Sequence, residues 1–237
     1  PGMSIPRETI VYIISAPSGS GKSTLVNEVL KTVPGLDFSI SYTTRPSRGS
    51  EQNGKQYHFV TRERFERMVE ADEFLEHAEF DGNCYGTARQ FLREAQRKGT
   101  DLLLDIDVQG ATQIQQKLPD AVSIFVLPPD KKELEWRLRK RGENDEQDIR
   151  RRLEAAGREI EEYDRYNYVL INDKLEKSIE RFEAIVLSER LQRENRPLSD
   201  QEATIVERAE RLRLANLKEK VQPILSSFRT LAPSAQP

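Results

Sequence analysis

The sequence predicts an α/β protein built on a parallel sheet, and three features predict it. The run Ile10-Val11-Tyr12-Ile13-Ile14-Ser15 is apolar and β-branched, passes through small residues into Gly19-Ser20-Gly21-Lys22-Ser23-Thr24, and continues into a helical pattern from Leu25 to Leu30. Three further apolar runs, at 102–107, 123–127 and 168–171, are separated by stretches of helical periodicity. The run at 102–107 ends in carboxylates, Asp105 and Asp107, where ligands sit in a parallel sheet, beyond the carboxyl ends of its strands.

Strand, Gly-rich loop and helix, in that order, suit a phosphate chain. The glycines let backbone N–H groups turn inward around anionic oxygens, and the helix N-terminus adds its positive dipole end. Lys22 is placed to reach the β- and γ-phosphates of a nucleotide, and the Ser23 hydroxyl to hold Mg²⁺. The pattern G-x-x-x-x-G-K-[ST] meets Ala16 where it asks for its first glycine, while Gly19 and Gly21 remain on the inner turn. A Gly/Ser-rich turn ahead of any helix would look the same in isolation. The strand before it and the periodic helix after it supply the context.

Pro34-Gly35 ends the first helix, and Phe38 to Ser41 is a short strand. Thr43 to Gly49 is a polar loop in which Arg45 and Arg48 flank Pro46. They read either as forked donors for a phosphate monoester or as two solvated surface arginines. Gln56 to Val60 alternates like a strand. Arg62 to Val69 is a short helix with Phe65, Met68 and Val69 inward, Phe74 to Phe80 is extended, and Asp81-Gly82-Asn83 is a turn before a helix at 89–98. Residues 43–98 therefore form a small, mostly extended insert. Val108 to Lys117 is helical, so Asp107 also suits its N-cap.

Pro128-Pro129 stops the next strand. Glu133 to Lys140 is helical, with Arg137, Arg139 and Arg141 crowding its end before Gly142. A second helix opens at Glu143-Asn144-Asp145-Glu146 and runs to about Tyr163, carrying Arg150, Arg151 and Arg152. Such arginine density reads as a solvated face paired with glutamates, or as a lid that brings positive charge onto phosphates. After the strand ending at Asn172-Asp173, a helix runs from Leu175 to about Arg193 and stops at Pro197. Ser199 to Glu202 then opens one last helix to about Gln222. Ile205, Ala209 and Leu212 line one of its faces, while Leu214, Leu217 and Val221 line another, rotated by roughly half a turn. This extension is left to dock on the core or to meet another subunit. The tail from Ala232 to Pro237 is expected to be disordered, and Pro1-Gly2 ahead of Met3 reads as a tag remnant.

A chain of 237 residues suffices for one α/β domain with insertions or for two small domains. A net charge of −3 gives no basic footprint for nucleic acid. Cys84 is the single cysteine, which excludes an internal disulfide or a cysteine metal cluster and fits a reducing cytosol. No apolar run reaches membrane-spanning length and no signal peptide is visible, so a cytoplasmic location is expected.

Taken in order, six motifs resemble the guanylate kinase family. They are Ala16 to Thr24, Ser41-Tyr42-Thr43-Thr44-Arg45-Pro46-Ser47-Arg48, Asn53-Gly54-Lys55-Gln56-Tyr57-His58-Phe59, Phe74-Leu75-Glu76-His77-Ala78, Asn83-Cys84-Tyr85-Gly86-Thr87 and Leu104-Asp105-Ile106-Asp107-Val108-Gln109-Gly110. The resemblance runs from about Thr9 to about Asn195. It implies Mg²⁺-dependent transfer of the γ-phosphoryl group of ATP to GMP or dGMP. It also implies a three-layer α/β/α P-loop core (9–42, 99–128 and 164–195), a GMP-binding insert (43–98) and a helical lid (129–163), with residues 196–237 as an extension.

By the same resemblance, the GMP phosphate should meet Arg45, Arg48, Tyr57 and Tyr85, and the guanine should meet Ser41, Glu76, Thr87 and Asp107. The ATP phosphates fall to Lys22 and the loop Ala16, Pro17, Ser18, Gly19, Ser20, Gly21, Ser23 and Thr24, with Asp105 close to the metal. Arg137, Arg141 and Arg152 match lid positions that act with Lys22 and Arg45 in catalysis, and Asn172-Asp173 lies near the adenine. Two other expectations stand beside this one: a non-catalytic binding module of guanylate-kinase type, and a related phosphotransferase with another acceptor. Binding modules lose the loop lysine or the lid arginines, which this chain retains. Intact guanine-reading positions speak against another acceptor.

Overall fold

The structure, a computed structural model, describes residues 7–142 and 144–229. The expectations for Pro1-Gly2, for Glu143 and for the tail fall outside those residues. In chain order the elements are β1 (Val11–Ser15), α1 (Lys22–Thr32), β2 (Leu36–Ser39), β3 (Tyr42–Thr43), β4 (His58–Phe59), α2 (Arg62–Glu70), β5 (Phe74–Phe80), β6 (Asn83–Ala88), α3 (Arg89–Lys98), β7 (Asp101–Asp105) and α4 (Val108–Lys117). They continue with β8 (Val122–Leu127), α5 (Lys131–Lys140), α6 (Glu146–Glu159), a 3-10 segment (Ile160–Arg165), β9 (Tyr168–Ile171), α7 (Leu175–Gln192), α8 (Asp200–Glu210) and α9 (Leu214–Arg229). The chain divides into two compact units, one of residues 7–15 and 33–123, the other of residues 16–32 and 124–229.

In the first unit β2, β7 and β1 lie side by side and parallel, with Val11 opposite Leu102 and Leu36 opposite Asp101. β1 and β7 are buried on both faces, which is why they read as continuous apolar runs. A second sheet, in the order β4-β3-β6-β5, shares residues 43–98 with α2 and α3, so this stretch is mixed rather than mostly extended; β3 and β4 are parallel and the other pairs antiparallel. Its core is Tyr42, Phe65, Met68, Phe74, Cys84 and Ala88. The sequence placed a turn at 81–83 but did not mark β6 as a strand. Gly86 weakens the strand signal there, yet the glycine is needed: a Cβ would lie 2.7 Å from the Phe74 ring. α4 is capped by Asp107, whose carboxylate accepts from the Gly110 N–H at 2.8 Å.

In the second unit β8 and β9 pair in parallel, with Ile124 opposite Tyr168. Asp130 and Asp145 cap α5 and α6. α5 therefore begins two residues earlier than its apolar periodicity suggests. Leu134, Leu138 and Ala156 pack together, joined by Leu153 of α6 and Phe228 of α9.

The single final helix expected from Ser199 to Gln222 is two helices. Ser199 and Glu202 form the capping box that opens α8, but the chain turns at 211–213. There the Val169 N–H donates to the Leu212 carbonyl at 3.0 Å, and the Leu214 N–H donates to the Asn167 carbonyl at 3.1 Å. The Arg213 guanidinium lies 4.7 Å from the centre of the Tyr168 ring. The half-turn rotation of the apolar stripe is the mark of this break. α9 then passes through Pro223 to Arg229, because Ile224 and Leu225 beyond the proline are buried. Among the described residues no helix is long and apolar enough to cross a membrane.

Candidate active site

Each unit gathers one group of the candidate residues. In the second, the loop before α1 turns on two glycines with left-handed backbone, Gly19 (φ 84°) and Gly21 (φ 82°). Both are also short of space: a Cβ on Gly19 would lie 2.7 Å from Leu138, and one on Gly21 would lie 2.6 Å from the Asn172 amide nitrogen. Ser20 closes the turn by donating its N–H to the Pro17 carbonyl at 3.2 Å. Its hydroxyl is buried with no hydrogen-bond partner among the described residues. Lys22 is the first residue of α1, Ser23 and Thr24 are exposed in its first turn, and Ala16 is half-buried. Backbone N–H groups at such a helix start form a ready anion site.

Three side chains brace this loop. The Ser20 carbonyl accepts from Asn172 Nδ2 at 2.7 Å and from Arg137 at 3.3 Å. Arg137 also donates to the Asn172 carbonyl at 2.8 Å and pairs with Glu133 at 3.2 Å, one helical turn back. Arg152 donates to the Ser18 hydroxyl at 3.3 Å and to Asp148 at 3.1 Å. Two of the three predicted lid arginines thus lie on the loop. Arg141 does not: it is the exposed C-cap of α5, and its guanidinium makes no hydrogen bond or ion pair among the described residues. Asn172 supports the loop from below, and Asp173 pairs with Arg181 at 2.8 Å.

The first unit holds the other group. Glu76, on β5, is 3% exposed and accepts from the Thr87 hydroxyl at 2.8 Å. Burial pushes its carboxyl up to about 7; the hydrogen bond from Thr87 opposes this, and the Asp107 charge adds to it. Arg45 is buried, not solvated. Both its terminal nitrogens hold Glu51 at 2.9 Å, and its guanidinium lies 5.2 Å from the centre of the Tyr57 ring. The hydrogen bonds with Glu51 hold Arg45 above its ordinary pKa and Glu51 below its own. Tyr57 and Tyr85 meet edge to face at 6.0 Å. Burial raises the Tyr57 phenol, with Tyr85 and Asp105 adding to it and Arg45 opposing. Ser41 is half-buried and its carbonyl accepts from the His58 N–H; Arg48 is exposed, and its N–H donates to Glu51 at 2.7 Å. Asp105 ends β7.

Sequence reasoning missed Glu51, the residue that aims Arg45. Its signal was a carboxylate six residues beyond an arginine in a polar loop. Among the described residues no group of three or more His, Cys, Asp or Glu gathers to hold a metal by itself.

A family model described as guanylate kinase matches residues 8–189. The chain belongs to the guanylate kinase family. It is 57% identical over 222 residues to a guanylate kinase of Koribacter versatilis (strain Ellin345), a match covering 92% of this chain and 95% of the relative. A guanylate kinase of Geobacter sulfurreducens is 46% identical over 183 residues, covering 77% of this chain and 90% of that one. The crystal structure of guanylate kinase from Anaplasma phagocytophilum superposes with a TM-score of 0.63 at 30% identity, covering 92% of this chain and 96% of that chain. The parallel sheets with their helices and the mixed sheet of the insert are an α/β arrangement, as the sequence predicts.

Proposed function

We propose that this guanylate kinase family member transfers the γ-phosphoryl group of ATP to GMP or dGMP, giving ADP and GDP or dGDP. The observation that carries the reading, beside the family, is the buried Glu76–Thr87 pair. Guanine offers N1–H and an exocyclic amine as donors, and a carboxylate accepts from both. Adenine cannot satisfy it, and a buried acceptor left unpaired costs about 1–3 kcal/mol. Ser41, Thr87 and Asp107 complete the base contacts. Arg45, Arg48, Tyr57 and Tyr85 bind the GMP phosphate, with Arg45 held in place by Glu51.

The loop from Ala16 to Thr24 binds the ATP phosphates, with Asn172-Asp173 near the adenine. Lys22 and the arginines at 137, 141 and 152 neutralise charge as the phosphoryl group moves; positioning and charge do the work, and no general base is assigned. The donors suit Mg²⁺, a hard ion that prefers oxygen: the Ser23 hydroxyl would hold it, with Asp105 in an indirect role. Mg²⁺, when bound, offsets charge on the β- and γ-oxygens. We place residues 43–98 as the GMP insert, 129–163 as the lid, and the protein in the cytoplasm, with nucleotides and not nucleic acid as partners. The extension is our candidate for self-association. The inner face of α9 is taken by its own chain, so a second copy would use the outer faces of α8 and α9. A single monomer mass at all concentrations in sedimentation would rule that out.

The deciding experiment measures ADP release with ATP and each of GMP, dGMP, AMP, CMP and UMP. Turnover with GMP and dGMP alone is expected. GMP binding without turnover would mean a binding module, and turnover with AMP would remove the guanine reading.

A further inference from the structure

We propose that Gly110 is a positioning residue for base specificity: its missing side chain is the space that holds the Glu76 carboxylate in line for guanine. This rests on the reading of Glu76 as the guanine acceptor.

Gly110 is buried in the first turn of α4. A Cβ there would lie 2.7 Å from Glu76 Oε2, 3.0 Å from its Cδ and 3.4 Å from Asp107 Oδ1. The backbone conformation does not ask for glycine, since position 110 is ordinary helix and alanine is the better helix former. What requires glycine is the carboxylate opposite.

Glu76 has little room to move away. Its other oxygen, Oε1, takes the Thr87 hydroxyl. α4 also grips β5 on both sides of it. Lys117 Nζ donates to the Leu75 carbonyl at 2.5 Å; Gln113 donates to the His77 carbonyl at 2.8 Å and accepts from the His77 N–H at 3.3 Å. One helix therefore fixes the strand with its side chains and leaves a gap for the acid that the strand carries. If that gap is filled, the group that yields is the end of the Glu76 side chain rather than any backbone. The loss then falls on recognition and spares the fold.

Two parallel donors on guanine need both carboxylate oxygens in the base plane. Inosine monophosphate lacks the exocyclic amine and presents only one of them. The preference for GMP over inosine monophosphate therefore reports whether both oxygens are in place.

The test compares Gly110→Ala and Glu76→Gln with the parent chain, using ATP with either GMP or inosine monophosphate. For Gly110→Ala we expect KM for GMP to rise at least tenfold and the GMP preference in kcat/KM to fall at least fivefold. KM for ATP should stay within twofold and Tm should hold or rise. If Glu76→Gln loses the preference and Gly110→Ala keeps it, this inference is wrong while the reading of Glu76 stands. If Glu76→Gln keeps the preference, the reading of Glu76 fails and the inference with it. Equal losses toward ATP and GMP with a lower Tm would make Gly110 a packing residue only, which also overturns the proposal.

Discussion

Glu76 is a carboxylate in a place that water barely reaches, and its proton is held to a higher pH in the folded chain than in the unfolded one. The sign follows from that. The stability Glu76 contributes is complete below its ordinary 4.5 and is lost as the pH rises through about 7. Full ionisation costs the fold roughly 3 kcal/mol, from about 1.4 kcal/mol per pKa unit. Glu76→Gln should therefore raise Tm at pH 8 and leave it unchanged near pH 4.5. On the proposed reading GMP binds the ionised form, so KM for GMP should climb as the pH falls below about 7 while KM for ATP stays level. The second ionisation of the nucleotide phosphate, near pH 6, persists in Glu76→Gln and provides the baseline. A pH response identical in parent and variant would remove Glu76 from the site. Lys22→Ala should lower kcat by about 10³-fold or more with little change in Tm, as expected of a group that acts on developing charge. The motif residues were legible because each chemistry demands a residue type at a spacing. The Glu51 support of Arg45 was not, because a loop can bring an arginine to any nearby acid.

At the scale of elements, periodicity located the strands and helices well. It gave β5, β9, α3 and α4 with the bounds the structure shows. Two of its failures share a cause: tertiary contacts outweighed local signals. The break at 211–213 comes from bonds to β9, and α9 survives Pro223, a substitution worth about 3 kcal/mol against a helix interior, because burial beyond it compensates. Leu217, Val221, Ile224 and Leu225 are buried, and the end of the helix is tied down by Arg229 on Glu161 at 2.7 and 2.6 Å. Ser227 also accepts from the Lys131 N–H at 3.1 Å, at the start of α5. Leu225→Ala should therefore cost about 2–5 kcal/mol by denaturant unfolding, whereas Glu219→Ala on the exposed side should stay within about 0.5 kcal/mol. Equal, small effects would mean that α9 does not dock as described.

For the whole molecule, the α/β class and the family could be read from the sequence, because motif order spans most of the chain. The fate of the extension could not, because an apolar stripe does not name the surface that covers it. In this chain the extension packs on the helices that carry Arg137 and Arg152, so those arginines rest on elements braced by α9.

The turn at 211–213 has one more effect. β9 pairs with β8 along one side only, and its other side is met by Leu212, Arg213 and Leu214. A chain cut at Pro197 would bare a row of unmatched N–H and C=O groups, a template on which a strand from another molecule can grow. Such a truncation should scatter light increasingly with time at concentrations where the full chain stays clear. A clear solution of the shortened chain would show that the edge needs no guard. If the shortened chain scatters as expected, the segment that looks like an appendage is, in cellular terms, a device against misassembly, keeping an otherwise sticky margin occupied from within.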